Sequence, residues 1–472
     1  TNEGEEDQKL LCFFPSGAPI HQVQGVLGLA EGLLNFTRIF SPSNPVSAAH
    51  ASTHRTLFMS LEPGLWAVLV VAHDVASPSD VQDGALHLLL QETYECFRLL
   101  HGSLRKCIDQ AASGGRFVDA LGPVFGDLWA RVSGGKRAEL GPLANGLLGR
   151  AGFPQLPLGR PTFLNVQSIV HLLQSAYGGN TIKKMMMLYD HQVVWSGLPA
   201  RDTLALYRFA DRCMTPSATH ASTAARIRSS LARSGLTTST EFLPATGAPF
   251  RAGDWKLGGD GFVVPAESAY SPFAAPRVHM QEEDCFRLLV YQQEMTTLLL
   301  LVEPERLRTS SQRTSLCSFI GSLIANRLRP LEATLSEHFS SPNRWHISGY
   351  RYLFVDRPFR TVRGSPTSKI NTLSKESLSV LAAIQEDARQ AVPSRRSSSC
   401  GPGVGVASDD CSEEQEWEVC VRAHHDAWIV ARFCRGRELY VVLEKAGDTL
   451  MEIQDLIQRF SESSFGGIFD VD

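Results

Sequence analysis

Leu65-Trp66-Ala67-Val68-Leu69-Val70-Val71 follows the breaker Glu62-Pro63-Gly64, which in turn follows Thr56-Leu57-Phe58-Met59-Ser60-Leu61. Branched and aromatic residues dominate both runs and a Pro-Gly pair between them is turn chemistry, so the stretch reads as a β-hairpin. From about Ser79 to Asp109, with Ser79 as N-cap, Leu86, Leu89, Leu90, Tyr94, Phe97 and Leu100 recur at helical spacing. A hairpin is too small to stand alone and an amphipathic helix needs a face to cover, so together they make one α+β module.

The same unit recurs downstream. Cys285 to Tyr291 and Thr296 to Val302 flank a polar tip, and Glu303-Pro304 precedes a helix expected over Ser310–His338. Trp428 to Phe433 and Glu438 to Leu443 flank Arg435-Gly436-Arg437, and a helix expected over Thr449–Phe460 carries Leu450, Ile453, Ile457 and Phe460 as its stripe. At roughly 150 residues per domain, 472 residues suit three such units. The expected fold class is therefore α+β: three modules, each an antiparallel sheet with packed helices. The expected boundaries are residues 8–132, a linker or insertion over 133–180, residues 181–340 with a long insertion near 215–276, and residues 341–472 with a Ser/Arg/Gly-rich insertion near 393–412.

Composition narrows the function classes. Apolar residues make up 43% and charged residues 20% of the chain, as in ordinary folded domains. Forty-five basic against 49 acidic side chains give a formal charge of -4, so no global field favours nucleic acid, and none is expected as a partner. The ten cysteines are scattered without a C-x-x-C pair and most sit in apolar runs, which fits free thiols in a reducing compartment. The longest apolar stretches, Leu65–Ala72 and Leu298–Val302, fall short of the roughly 20 residues a membrane helix needs. Membrane contact is expected to be peripheral, and the acidic start is unlike a signal peptide.

No motif for covalent chemistry emerges, and neither a catalytic residue, a metal nor a cofactor is expected. Gly401-Pro402-Gly403-Val404-Gly405 follows a serine-rich tract instead of a strand, and Gly134-Gly135-Lys136-Arg137 lacks the upstream glycine and the hydroxyl residue of a phosphate loop. His424-His425-Asp426 reads as a hairpin turn; His50 and His54, at helical spacing, read as surface residues without a third ligand. Dispersed triads escape such a scan, so an enzyme with a scattered site stays a third-ranked alternative. The Ser394–Ser399 tract beside Arg395 and Arg396 reads equally as linker or as a phosphorylation switch.

One element carries more apolar surface than a single core needs. From Ile20 through Phe40 a helix is expected with Val23, Val26, Leu27, Leu29, Ala30, Leu33, Leu34, Phe36, Ile39 and Phe40, ended by Pro42 and Pro45. Periodicity alone leaves two readings: the helix is clamped inside its own module, or part of it faces another protein.

Leu33-Leu34-Asn35-Phe36-Thr37-Arg38-Ile39-Phe40-Ser41-Pro42 and the Glu62–Val71 run closely resemble the first module of the vacuolar fusion protein Ccz family, with its F-T-R-x-F-S-P and E-P-x-x-W-x-V-x-V-V patterns. Gly349–Asp356, Leu373–Leu378 and Ala427–Lys445 are similar to the C-terminal module of plant-type members. The resemblance implies three longin modules and an obligate complex with a Mon-family longin subunit. That complex is the exchange factor for the late-endosomal Rab GTPase of the seventh class. It also implies a cytoplasmic location, peripheral on late endosomal, prevacuolar and vacuolar membranes. By resemblance the partner and Rab interface falls on Asn35, Phe36, Thr37, Arg38 and Phe40 of the helix and on Trp66 of the hairpin. The family carries a strand ahead of the strand expected at Lys9–Phe14, and the acidic start offers no counterpart. The runner-up reading is a tri-longin scaffold or membrane tether without exchange activity.

Overall fold

A computed structural model describes residues 9–15, 17–42, 46–72, 83–112, 121, 124–126, 152–176, 181–213, 255–258, 260–265, 275–281, 285–339, 345–370, 372–396, 417–424, 427–443 and 449–465. The chain divides into two compact units, one of residues 1–76, 87–136 and 156–337, the other of residues 77–86, 137–155 and 338–472. Among the described residues three sheets are formed, and the first two lie in one of the two compact units.

The first sheet has the order β1 (Ala48–His50), β2 (His54–Glu62), β3 (Leu65–Ala72), all antiparallel. Gly64 turns the β2–β3 hairpin at φ +80°, a conformation L side chains avoid. Adjacent strand residues point to opposite faces. Phe58 therefore lies under helix α1 (Ile20–Phe40) in a core with Ala30 and Leu34, while the fully buried Leu57 belongs to the other face. Helix α2 (Asp83–His101) is tied to β2: its His87 Nε2 lies 3.2 Å from the Phe58 carbonyl, and its Tyr94 hydroxyl donates to Glu62 at 2.7 Å.

The single long helix expected from Ser79 to Asp109 is two. Gly102 takes φ +82° and ends α2, and the Glu62 carboxylate accepts the Leu104 and Arg105 amides at 2.7 and 3.0 Å, capping α3 (Leu104–Ala112). Ser79 lies outside the described residues. Lys9–Phe14 carries no strand; Lys9 instead bonds Glu31 of α1 at 2.8 Å. His50 and His54 sit on β1 and β2, not on a helix, because Ala51 donates to the His54 carbonyl and closes a hairpin there.

Short β4 (Phe153–Pro154) belongs to the last sheet. The second sheet runs β6 (Gln192–Ser196), β5 (Ile182–Tyr189), β11 (Thr296–Val302), β10 (Cys285–Gln293), β8 (Phe262–Pro265), β7 (Trp255–Leu257), with β9 (Arg277–His279) also on β10. Its centre is closed to solvent: Met185, Met186, Met187 and Leu298 to Val302 are all fully buried. Helix α4 (Arg160–Ser175) buries Val166, Ile169, Val170 and Leu173 at i, i+3, i+4, i+7 and packs on β5. Helices α5 (Ala200–Cys213) and α6 (Ser310–Phe339) complete this part.

Two segments depart from their loop-like composition, and one hairpin was not foreseen. Residues 160–175 of the expected linker are helix α4, two strands of the second sheet lie inside the expected insertion near 215–276, and the β5–β6 hairpin turns through Asp190 and His191 at positive φ without a glycine. Within the same unit Glu95, 5% exposed, joins α2 to α5 by pairing with Arg201 at 2.7 Å while also holding Arg98 at 2.9 Å.

The third sheet has the order β14 (Trp417–Arg422), β15 (Trp428–Cys434), β16 (Arg437–Leu443), β12 (Tyr350–Asp356), β13 (Thr361–Gly364), β4. Helix α7 (Lys375–Arg396) packs Leu381, Ile384 and Ala388 on the face of Ile429 and Val442. Helix α8 (Leu450–Phe465) packs Ile453, Ile457, Phe460 and Phe465 on the face of Val430 and Val441. It runs five residues past the expected end because Phe465 closes over Tyr352 and Phe354. The helix α7 also extends through Pro393 to Arg396, into the expected insertion. Of the tracts read as linkers or turns, residues 134–137, 397–405, His425 and Asp426 lie outside the described residues. Among the described residues no helix is long and apolar enough to cross a membrane.

Candidate docking surface on the first helix and strand

Helix α1 has two opposed apolar faces. At about 100° per residue, Ala30, Leu33, Leu34 and Thr37 share one side. That side meets Phe58, Trp66 and Val68 of the sheet. Thr37 fastens it: its hydroxyl donates to the Leu33 carbonyl at 2.8 Å and accepts the Val46 amide at 3.2 Å, fixing the chain that leads into β1. Arg38 reaches the hairpin, its guanidinium 5.5 Å from the Trp66 ring centre. Such cation–π contacts contribute about 0.5–1 kcal/mol at exposed sites.

The opposite side faces solvent. Leu29, Phe36, Ile39 and Phe40 are 48%, 60%, 75% and 74% exposed, and the Phe36 and Phe40 rings meet edge-on at 5.1 Å. Leaving a large apolar side chain in water forgoes on the order of 1.5–3 kcal/mol relative to burying it. Gly25, Gly28 and Gly32 lie on the same side, and a side chain at any of them would meet open space. Each glycine inside a helix costs about 0.5–1 kcal/mol against alanine, and the chain itself does not use the missing side chains. Small residues beside protruding aromatic rings let another backbone approach closely while the rings engage it.

Among the described residues, the sheet beneath has no second partner strand along β3. Among the described residues β3 pairs with β2 only, leaving one row of backbone amides and carbonyls at the edge. Its residues Leu65 to Val70 are apolar yet only half-buried. A long, apolar, unpaired edge strand is a template for another strand.

The residues singled out by resemblance thus fall into two groups. Asn35, Phe36, Arg38 and Phe40 are exposed, and of these Arg38 also reaches back over Trp66, while the half-buried Thr37 and Trp66 hold the helix on the sheet. The periodicity reading did not select Leu29, Ile39 or the three glycines as a face, although a helical wheel over residues 25–40 contains that signal. The open edge of β3 had no signal in the sequence, because strand order depends on what the rest of the chain supplies.

Elsewhere, the buried carboxylates serve the fold. Asp202 accepts the Gln281 amide at 3.2 Å, Glu332 accepts the Met295 amide at 2.6 Å, and Glu438 accepts the Tyr440 hydroxyl at 2.7 Å. Burial raises the Asp202 and Glu332 carboxyls above their ordinary range. Among the described residues no three His, Cys, Asp or Glu side chains are grouped to hold a metal ion.

The family described as the first longin domain of INTU, CCZ1 and HPS4 matches residues 1–102, the part of the chain that contains α1, the first sheet and α2. Among full-length relatives, a vacuolar fusion protein CCZ1 homolog of Oryza sativa subsp. japonica is 32% identical over all of this chain and 95% of its own length. Vacuolar fusion protein CCZ1 homolog A of Arabidopsis thaliana is 30% identical over all of this chain and 96% of its own. A vacuolar fusion protein CCZ1 homolog of Xenopus laevis is 24% identical over all of this chain and 94% of its own.

Proposed function

This chain belongs to the family of vacuolar fusion protein CCZ1 homologues, and from that premise we propose that it is one subunit of a heterodimeric guanine-nucleotide exchange factor. Its partner is a Mon-family longin subunit, and the target is the late-endosomal and vacuolar Rab GTPase of the seventh class. The complex acts in endosome maturation and vacuole fusion from the cytoplasmic side, in peripheral contact with the membrane. Each of the three sheets with its helices is taken as one longin module.

The observation that carries this reading is the unsatisfied surface of the first module: an outward apolar face on α1 beside an open apolar edge on β3. A second longin subunit can cover both, with main-chain bonds along β3 setting register and the α1 side chains supplying affinity. Exchange then needs no acid, base or nucleophile from this chain. A Rab holds its nucleotide through Mg²⁺ and its switch loops, so a surface that prefers a rearranged switch lowers nucleotide affinity by that preference. By linkage, incoming nucleotide weakens the exchange factor's grip by the same factor and releases it.

The test is release of a fluorescent guanine nucleotide from the Rab with this chain alone, the Mon-family subunit alone, and both together. Acceleration by the mixture only is expected. A stable complex that leaves release unaccelerated overturns the exchange reading and makes this chain a tri-longin scaffold or tether.

A further inference from the structure

The second sheet sets two arginines face to face. Register pairs Arg277 of β9 directly with Arg287 of β10, and His279 of β9 with Cys285 of β10. Residues opposite each other on paired strands share a face, as do residues two apart along one strand, so Arg277, Arg287 and His279 stand together. The other face of these strands is core, with Val278 fully buried and Phe286 nearly so. His279 lies against Gly102, where an added Cβ would meet its ring at 3.6 Å, so the start of α3 adjoins the arginine face.

Among the described residues neither arginine has a carboxylate partner. Arg277 is exposed and makes no hydrogen bond or ion pair. Arg287 is half-buried; its Nη1 donates to the Ala275 carbonyl at 2.9 Å, while its Nε is buried without a hydrogen-bond partner. Burial, and then the charge of Arg277, hold the Arg287 guanidinium below its ordinary pKa, and burial with the charges of Arg277 and Lys106 does the same to His279. Like charges directly opposite on neighbouring strands destabilise a sheet, and an unbonded buried nitrogen adds the cost of its lost hydration.

An anion held between the two guanidinium groups removes both costs, since it screens the opposed charges and can accept from the unbonded Nε. The chain as a whole carries -4, so the cationic pair is a local feature and not a reflection of overall composition. We propose that Arg277 and Arg287 form a binding site for a phosphorylated side chain of another protein, with His279 at its rim. Phosphate brings about two negative charges and three acceptor oxygens, where a carboxylate brings one charge and two. Strand β9 pairs with β10 alone among the described residues, so an extended segment can lie along its other side and project a phosphoserine or phosphothreonine over the arginines. The half-burial of Arg287 favours a group carried on a projecting side chain over a flat lipid surface. The site shares no residue with the outward face of α1 or with β3, and it does not depend on the exchange reading.

The full chain is tested by isothermal titration with a short peptide carrying one central phosphoserine and with its unphosphorylated twin. Wild type is expected to bind the phosphorylated peptide only, and less tightly as salt rises. Arg277→Gln should weaken binding about tenfold or more. The same change relieves the opposed charges, so it should raise the melting temperature by about 1–3 °C, whereas loss of a purely structural arginine would lower it. The His279 ring, followed by NMR, should titrate at higher pH once the phosphopeptide is bound. Equal binding of the two peptides, no binding by wild type, wild-type binding by Arg277→Gln, or an unmoved His279 titration would overturn the proposal. Capture of phosphoinositide vesicles without binding of the phosphopeptide would also overturn it and assign the arginines to lipid. Binding that emerges only after Glu282→Gln, Glu283→Gln and Asp284→Asn together would overturn it by assigning the arginines to the chain's own acidic connection between β9 and β10. Nucleotide release from the Rab is read in none of these arms, so a failed phosphate site and a failed exchange reading are distinguishable.

Discussion

Helices α1 and α8 both lie on one face of an antiparallel sheet, yet they use their apolar residues differently. Over 16 residues α8 buries Ile453, Ile457, Phe460, Ser461 and Phe465, and its sheet is covered by α7 on the other side. Over 21 residues α1 buries only Ala30 and Leu34, and carries Leu29, Phe36, Ile39 and Phe40 outward. The third sheet is covered on both faces, whereas among the described residues the first region keeps a second apolar face and a strand paired on one side only. The excess in the first module is the surface a partner would complete.

Truncation should separate the two helices most strongly. Phe460 stacks on Tyr350 at 4.6 Å and meets Tyr352 edge-on. Phe460→Ala is expected to destabilise its unit by about 3–5 kcal/mol, read as a lower melting temperature of the isolated chain. Phe36→Ala should leave that temperature within about 0.5 kcal/mol of wild type and instead weaken capture of the Mon-family subunit. A large loss of stability from Phe36→Ala would erase the contrast.

Acid should loosen the first region before the last. Burial, with His279 beside it, holds His101 down at about 4 from an ordinary 6.5. His101 stacks on Phe97 at 4.9 Å, and His279 is itself lowered by burial and by the charges of Arg277 and Lys106. Because the folded state resists the proton, the unfolded chain binds more protons between those two values. Stability is therefore full above about 6.5 and falls as pH drops toward about 4, by a few kcal/mol at most. Hydrogen exchange over α2 should rise across that interval while the Tyr350–Phe460 core stays protected, and His101→Phe should flatten the response.

The smallest effect concerns how α1 is held. Removing the cation–π contact with Arg38→Ala should cost about 0.5–1 kcal/mol, seen as a small shift in the denaturation midpoint. Helix α1 should remain in place, since Thr37 still bonds the Val46 amide.

Hairpins were the most legible feature of the sequence, because Glu62-Pro63-Gly64 and Arg435-Gly436-Arg437 punctuate apolar runs with turn chemistry. The β5–β6 hairpin was not legible: Ile182 to Tyr189 is buried nearly throughout, so its pattern does not alternate, and the turn uses Asp190 and His191 in place of glycine. Trp255–Leu257 and Phe262–Pro265 were hidden because short strands in a Gly-rich stretch carry little periodicity. The break in α2 depended on Glu62, distant in sequence, supplying a cap. At the docking surface the residues of α1 were legible as an apolar excess, but their division into an inward and an outward side came only with the sheet beneath them.

The direct test of the outward face uses its glycines. Gly28→Gln and Gly32→Gln fill open space on α1 with a good helix former. In a face that only meets water, each should raise stability by about 0.5–1 kcal/mol and change nothing else. The account predicts that the double variant melts higher than wild type, yet loses binding to the Mon-family subunit in analytical ultracentrifugation. Full binding by a stabilised double variant would contradict it, because the open side of α1 would then be surface the partner does not touch.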